Sequence, residues 1–103
     1  WELPIVAKEF VGSRQYAGVI CLGAVIKGET THDLYINTQV ANSLGNLSLE
    51  YKLPIGFGLL TCQSMEQAMN RAGGTVGNKG EEAAKAVLET LSVMRQVADA
   101  NNG

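Results

Sequence analysis

Two short uncharged runs, "AGVICLG" (residues 17–23) and "LPIGFGLL" (53–60), restrict the architecture more than any other feature of the chain. Runs of this kind suit strands covered on both faces, as in a parallel sheet, better than half-exposed strands that alternate. Parallel neighbours need a crossover of a dozen or more residues, usually a helix. The segment between the runs supplies one. Ile36, Val40, Leu44 and Leu47 recur at steps of 4, 4 and 3, a single apolar helical stripe. The middle of the chain therefore reads as a βαβ unit.

Helices flank that unit. "PIVAKEFV" has Pro4 in its first turn, where the missing N–H costs little. Ser64 to Arg71 opens with "SMEQ", in which Ser64 and Gln67 have capping-box spacing. Gly80 to about Ala98 begins with Glu81 and Glu82, which suit the positive end of a helix dipole. Its expected core stripe is Ala84, Val87, Leu88, Leu91 and Met94, and the tail "ADANNG" from residue 98 reads as a frayed end. No repeat, linker or low-complexity tract divides residues 1–103, so they form one domain. Two apolar strands alone would leave both edges and much of each face open. The expectation is an α/β domain with three layers, α/β/α, and a parallel sheet of which at least one or two strands precede Trp1 in the complete protein.

Composition then excludes several classes. With 46% hydrophobic and 17% charged residues, the 103-residue chain is not disordered in type. A net charge of −2 gives no basic footprint for nucleic acid, and no apolar stretch reaches the roughly 18 residues of a membrane span. Cys21 and Cys62 lie in or beside apolar runs, as buried free thiols of a reducing cytoplasm do. They form no CxxC pair, and a single histidine cannot complete a zinc site with them, so no metal is expected.

Two polar clusters carry the chemistry. In "GAVIKGETTH" (23–32) an apolar strand stops near Ala24 and a helix starts near Thr31, with Thr30 and Asp33 at capping-box-like spacing. Open α/β sheets bind ligands at the carboxyl edge of their strands. Unpaired N–H groups at a helix start can receive phosphate, and Gly28 permits close approach. His32 falls in the first helical turn, where the dipole disfavours its cation, and a neutral imidazole there could move protons. The second cluster, "NRAGGTVGNKG" (70–80), sets Arg71 and Lys79 on a glycine-rich loop that leads into a helix. It is not a P-loop, because Asn78 separates Gly77 from Lys79 and Gly80 follows the lysine. Taken singly, the loops also fit plain turns with solvated charges, His32 a capping residue and Phe57 a core aromatic.

Together the pieces resemble one family, the lumazine synthases. "WELP" resembles its aromatic-Glu-apolar-Pro motif, "GAVIKGETTH" its substrate loop, "GFGLLT" the following strand and "EQAMNRAGGTVGNKGEEAA" its C-terminal signature. The match runs over all but the tail. Three departures stand out. The family's preceding segment, with two strands, a helix and a substrate-packing aromatic, is absent. Glu81 replaces an aromatic common after "NKG", and Thr31 replaces a proline common before the histidine.

The resemblance implies a flavodoxin-like sheet and a cofactor-free condensation of 5-amino-6-(D-ribitylamino)uracil with 3,4-dihydroxy-2-butanone 4-phosphate. It implies that Trp1, Glu2, Ala24, Val25, Ile26 and Phe57 hold the pyrimidine and ribityl chain. Gly28, Glu29, Thr30 and Arg71 would bind phosphate, His32 would shuttle protons, and Lys79 would support the site. It further implies a homopentamer, with an icosahedral shell as the larger form, in which Phe57, Arg71 and Lys79 reach the neighbouring subunit's site. Two rival readings remain at this point: a non-catalytic cage protein of the same fold, against which "GETTH" and Arg71 argue, and a phosphate-ligand binding module.

Overall fold

The computed structural model describes residues 1–102, which form α1 (Leu3–Gly12), β1 (Val19–Ile26), α2 (His32–Tyr51), β2 (Ile55–Cys62), α3 (Met65–Arg71) and α4 (Lys79–Asn102). The two strands are parallel, with Val19 opposite Ile55 and Ile26 opposite Cys62, and they are the only strands among the described residues. β1 runs further than the sequence suggested. Val25 and Ile26 are strand residues paired with Thr61 and Cys62, as β-branched side chains favour. The ladder reaches one residue beyond, where Lys27 N–H donates to the Cys62 carbonyl at 2.8 Å.

Helices cover both faces, giving the three layers expected and an arrangement consistent with a flavodoxin-like fold. On one face Cys21 and Leu59 join Ala7 of α1 and Val40, Leu44 and Leu47 of α2 in a buried cluster, with Ile36 packed against it. The α2 stripe read from the sequence is therefore the stripe that packs. Each such side chain contributes about 1.5–3 kcal/mol when fully buried. On the other face Leu60 and Cys62 meet Ala68 of α3. Gly56 and Gly58 bring the sheet so close to α4 that a Cβ on Gly56 would stand 2.8 Å from the Ala83 carbonyl oxygen.

That close approach explains a correction. Among the stripe residues expected on α4, Val87 is buried, Ala84 and Leu91 are half-buried, and Leu88 and Met94 are exposed; Ala83 is the other buried residue. A helix seated on glycines touches the sheet along a narrow line through residues 83, 87 and 91, and its flanking leucine misses. Beyond Leu91 every described residue of α4 is exposed, yet the helix continues to Asn102 where the sequence suggested fraying. A second correction concerns the strands. They are not covered on both faces throughout, since Ile20 is 44% and Leu22 58% exposed.

The α3 start behaves as its sequence indicates. Gln67 N–H donates to Ser64 Oγ at 3.2 Å, and Gln67 Oε1 accepts from Gln63 N–H at 2.9 Å, one residue before the cap. Both cysteines are free and buried, and burial pushes the Cys21 thiol above its ordinary pKa. No described helix is long and apolar enough to cross a membrane.

Candidate functional site

The loop between β1 and α2 leaves the sheet at its carboxyl edge. Lys27 to Thr31 are exposed, and a Cβ on Gly28 would meet nothing within 4 Å, so the backbone there is open to a ligand. Thr30 does not pair with Asp33 as the spacing suggested. Its Oγ1 instead accepts from the His32 N–H at 3.3 Å, and Thr31 becomes the N-cap, with its carbonyl accepting from Leu34 N–H at 3.0 Å. The hydroxyl found a nearer donor two residues on, a local turn that competes with the box. Asp33 turns inward and buries Oδ1 without a protein partner, as Asn37 does one helical turn later. His32, the first residue of α2, stays exposed.

The second cluster folds into a tight clasp between α3 and α4. Gly73 N–H donates to the Gly77 carbonyl at 2.8 Å, Val76 N–H donates to the Asn70 carbonyl at 3.0 Å, and Ala72 bridges Asn78 in antiparallel fashion. Gly73 and Gly77 take φ of 113° and 134°, a region L side chains avoid, so the turn depends on glycine at both positions. Arg71 is the last residue of α3 and Lys79 the first of α4. Both line a cavity of about 460 Å³ with Phe57, Leu60, Cys62 and Glu82. Among the described residues neither cation has a carboxylate within ion-pair distance. The arrangement offers two positive side chains and an aromatic edge, a setting for an anion carried on an organic body.

The structure thus assembles some expected residues and separates others. Phe57, Arg71 and Lys79 come together. Ala24 meets Lys79 in an adjoining cavity of about 450 Å³ that also takes in Leu22 and Asn78. Trp1 and Glu2 line a different groove of about 400 Å³ between α1 and α2, beside Ile5, Lys8 and Leu47. Val25 and Ile26 are half-buried in β1, and Gly28, Glu29 and Thr30 on the exposed loop and His32 at the start of α2 lie outside the cavity that Arg71 lines. The expected site residues therefore fall into separate groups on the chain.

Sequence reasoning missed Glu82 and Asn78. Glu82 was legible only as a dipole partner, although it faces the cavity that Lys79 and Arg71 share. Asn78 had a signal: asparagine immediately before a helix is a favoured N-cap. Its Oδ1 accepts from Glu81 N–H at 3.0 Å.

Comparison with known proteins bears on these residues together. The sequence profile of the 6,7-dimethyl-8-ribityllumazine synthase family matches residues 1–95. The chain is 50% identical over 97 residues to the 6,7-dimethyl-8-ribityllumazine synthase of Nitratidesulfovibrio vulgaris, covering 94% of this chain and 62% of that protein. It is 45% identical to the one from Desulfovibrio desulfuricans and 44% to the one from Deinococcus deserti, again with 94% and 62% covered. The chain thus spans a little under two thirds of the length of these curated relatives.

Proposed function

The chain belongs to the 6,7-dimethyl-8-ribityllumazine synthase family, and on that premise we propose that the protein condenses 5-amino-6-(D-ribitylamino)uracil with 3,4-dihydroxy-2-butanone 4-phosphate. The product is 6,7-dimethyl-8-ribityllumazine, made in the penultimate step of riboflavin biosynthesis. The observation that carries this reading is the cavity where Phe57, Arg71 and Lys79 converge with no carboxylate paired to either cation.

The chemistry asks little of a protein beyond placement and proton transfer. The pyrimidine amine attacks the ketone and loses water to give an imine, phosphate leaves by elimination, and ring closure releases a second water. Each step moves protons between nitrogen, carbon and oxygen, which one positioned acid–base group can serve without a cofactor. His32 is that group. Arg71 binds the phosphate through its guanidinium fork, while the open backbone of Gly28, Glu29 and Thr30 supplies N–H donors around it. Trp1 stacks near the pyrimidine; Glu2 and the backbone of Ala24, Val25 and Ile26 hold the ring and ribityl chain; Phe57 closes over them, and Lys79 supports the anion.

Separation of these groups within one chain supports a site shared between subunits, with Phe57, Arg71 and Lys79 donated to the loop of a neighbour. The partner is thus a second copy of the chain, in a homopentamer and, as the larger form, an icosahedral shell. A cytoplasmic location completes the reading, supported by the two buried free thiols.

The test is lumazine formation from both substrates by protein expressed from the complete coding sequence. Arg71→Ala should raise the KM for the butanone phosphate with a smaller effect on the pyrimidine. His32→Ala should lower kcat about 10²-fold, the low end for a proton shuttle, because the condensation also proceeds unaided. Equal KM losses for both substrates in Arg71→Ala would point to assembly rather than phosphate recognition.

A further inference from the structure

Arg71 and Lys79 lie on different helices, eight positions apart, and one residue between them is tied in both directions, by its backbone and by its side chain. Asn78 joins Ala72 through the antiparallel bridge, directly after Arg71. Its carbonyl accepts from Glu82 N–H at 3.1 Å, and its Oδ1 accepts from Glu81 N–H at 3.0 Å, which fixes the first turn of α4 directly after Lys79's own position. The exposed side-chain nitrogen stands 3.5 Å from the place a Cβ on Gly73 would take, so the amide lies against the Gly73 turn of the clasp. We propose that Asn78 is a positioning residue that sets the spacing of the Arg71 and Lys79 cations and thereby the recognition of a phosphate-bearing substrate.

The inference rests on the phosphate reading of this cavity. The residue that disqualifies "GNKG" as a P-loop gains a role by its place: an N-cap acceptor defines where the helix begins, and Lys79 is its first residue. Without that acceptor the first turn of α4 frays, and the lysine loses a fixed approach to the anion while Arg71, anchored on α3, keeps its own. Serine can cap as well as asparagine. Alanine cannot.

The experiment compares the unsubstituted protein, from its complete coding sequence, with Asn78→Ala and Asn78→Ser, measured well below their thermal midpoints. Inorganic phosphate binding is followed by calorimetry, and KM is measured for each substrate. Asn78→Ala should weaken inorganic phosphate and raise the KM for the butanone phosphate by about tenfold, within the loss a displaced positioning group causes. The pyrimidine KM should stay within about twofold, and Asn78→Ser should restore both quantities. A purely structural cap would lower the melting temperature and the active fraction while leaving phosphate affinity alone, and that result overturns the proposal. So does a parallel rise in both KM values, or an Asn78→Ser protein no better than Asn78→Ala. If the unsubstituted protein binds phosphate yet forms no lumazine, the reaction assigned above fails, and the phosphate arm alone decides the role of Asn78.

Discussion

The two faces of the sheet differ in kind. Under α1 and α2 lies a closed core in which Val11 and Val40 are wholly buried and Ala7, Leu44 and Leu47 nearly so. Under α3 and α4 the contact rests on glycines and alanines, cavities open between the elements, and the cations face them. Close packing beneath α1 and α2 confines open space there to the surface groove at Trp1 and Glu2, whereas small residues leave room between the elements, at the cost of apolar contact. The first face holds the shape of the domain, and the second gathers Arg71 and Lys79 about a cavity.

The sharpest way to break this contrast is a pair of leucines. Leu44→Ala on the closed face should cost about 2–5 kcal/mol, as deletions in tight cores do, whereas Leu88→Ala, 66% exposed on α4, should cost under about 0.5 kcal/mol. Similar urea midpoints for the two variants would erase the distinction. Next in size comes the glycine seat. Gly56→Ala drives a methyl against the Ala83 carbonyl and should cost about 1–3 kcal/mol, while Gly28→Ala meets nothing and should leave stability unchanged. Smaller again is the α3 cap: Ser64→Ala removes the acceptor for Gln67 N–H and should cost about 1 kcal/mol.

The smallest effect concerns Cys21 in the closed core. Its folded-state pKa is raised by burial, so over the interval between its unfolded and folded values the native state keeps a proton that the unfolded chain has lost. Stability therefore falls as pH rises through the alkaline range. The urea midpoint should decline gently as pH rises through and above the thiol's ordinary value, and Cys21→Val should flatten that decline. An unchanged slope in the variant would assign it to other groups.

The closed face was the legible one. Its helix announced itself through Ile36, Val40, Leu44 and Leu47 because a single amphipathic stripe packs on a single surface, and periodicity records that directly. Ser64 and Gln67 were legible for a similar reason, since a cap is local. The open face hid its logic. Leu88 and Met94 look like core by spacing, but Gly56 decides which side of α4 meets the sheet, and Gly56 lies more than twenty positions away in the chain. Thr30 was misread as half of a capping box because its competing partner, the His32 N–H, is equally local and sequence alone does not rank them. Arg71, Lys79 and Phe57 could each be singled out by type. Only the fold put them around one cavity and kept Trp1, Glu2 and His32 away from it.

That separation is the central claim, and subunit mixing tests it directly. Proteins carrying His32→Ala and Arg71→Ala, each from the complete coding sequence, are unfolded together, refolded together and assayed for lumazine formation with the butanone phosphate well below the KM of Arg71→Ala. If each site takes His32 from one copy and Arg71 from another, random mixing returns about a quarter of the sites to the unsubstituted state, and activity should rise well above that of either variant. Activity no greater than the average of the two separately refolded variants would show that His32 and Arg71 serve one site within one chain, and would contradict the account.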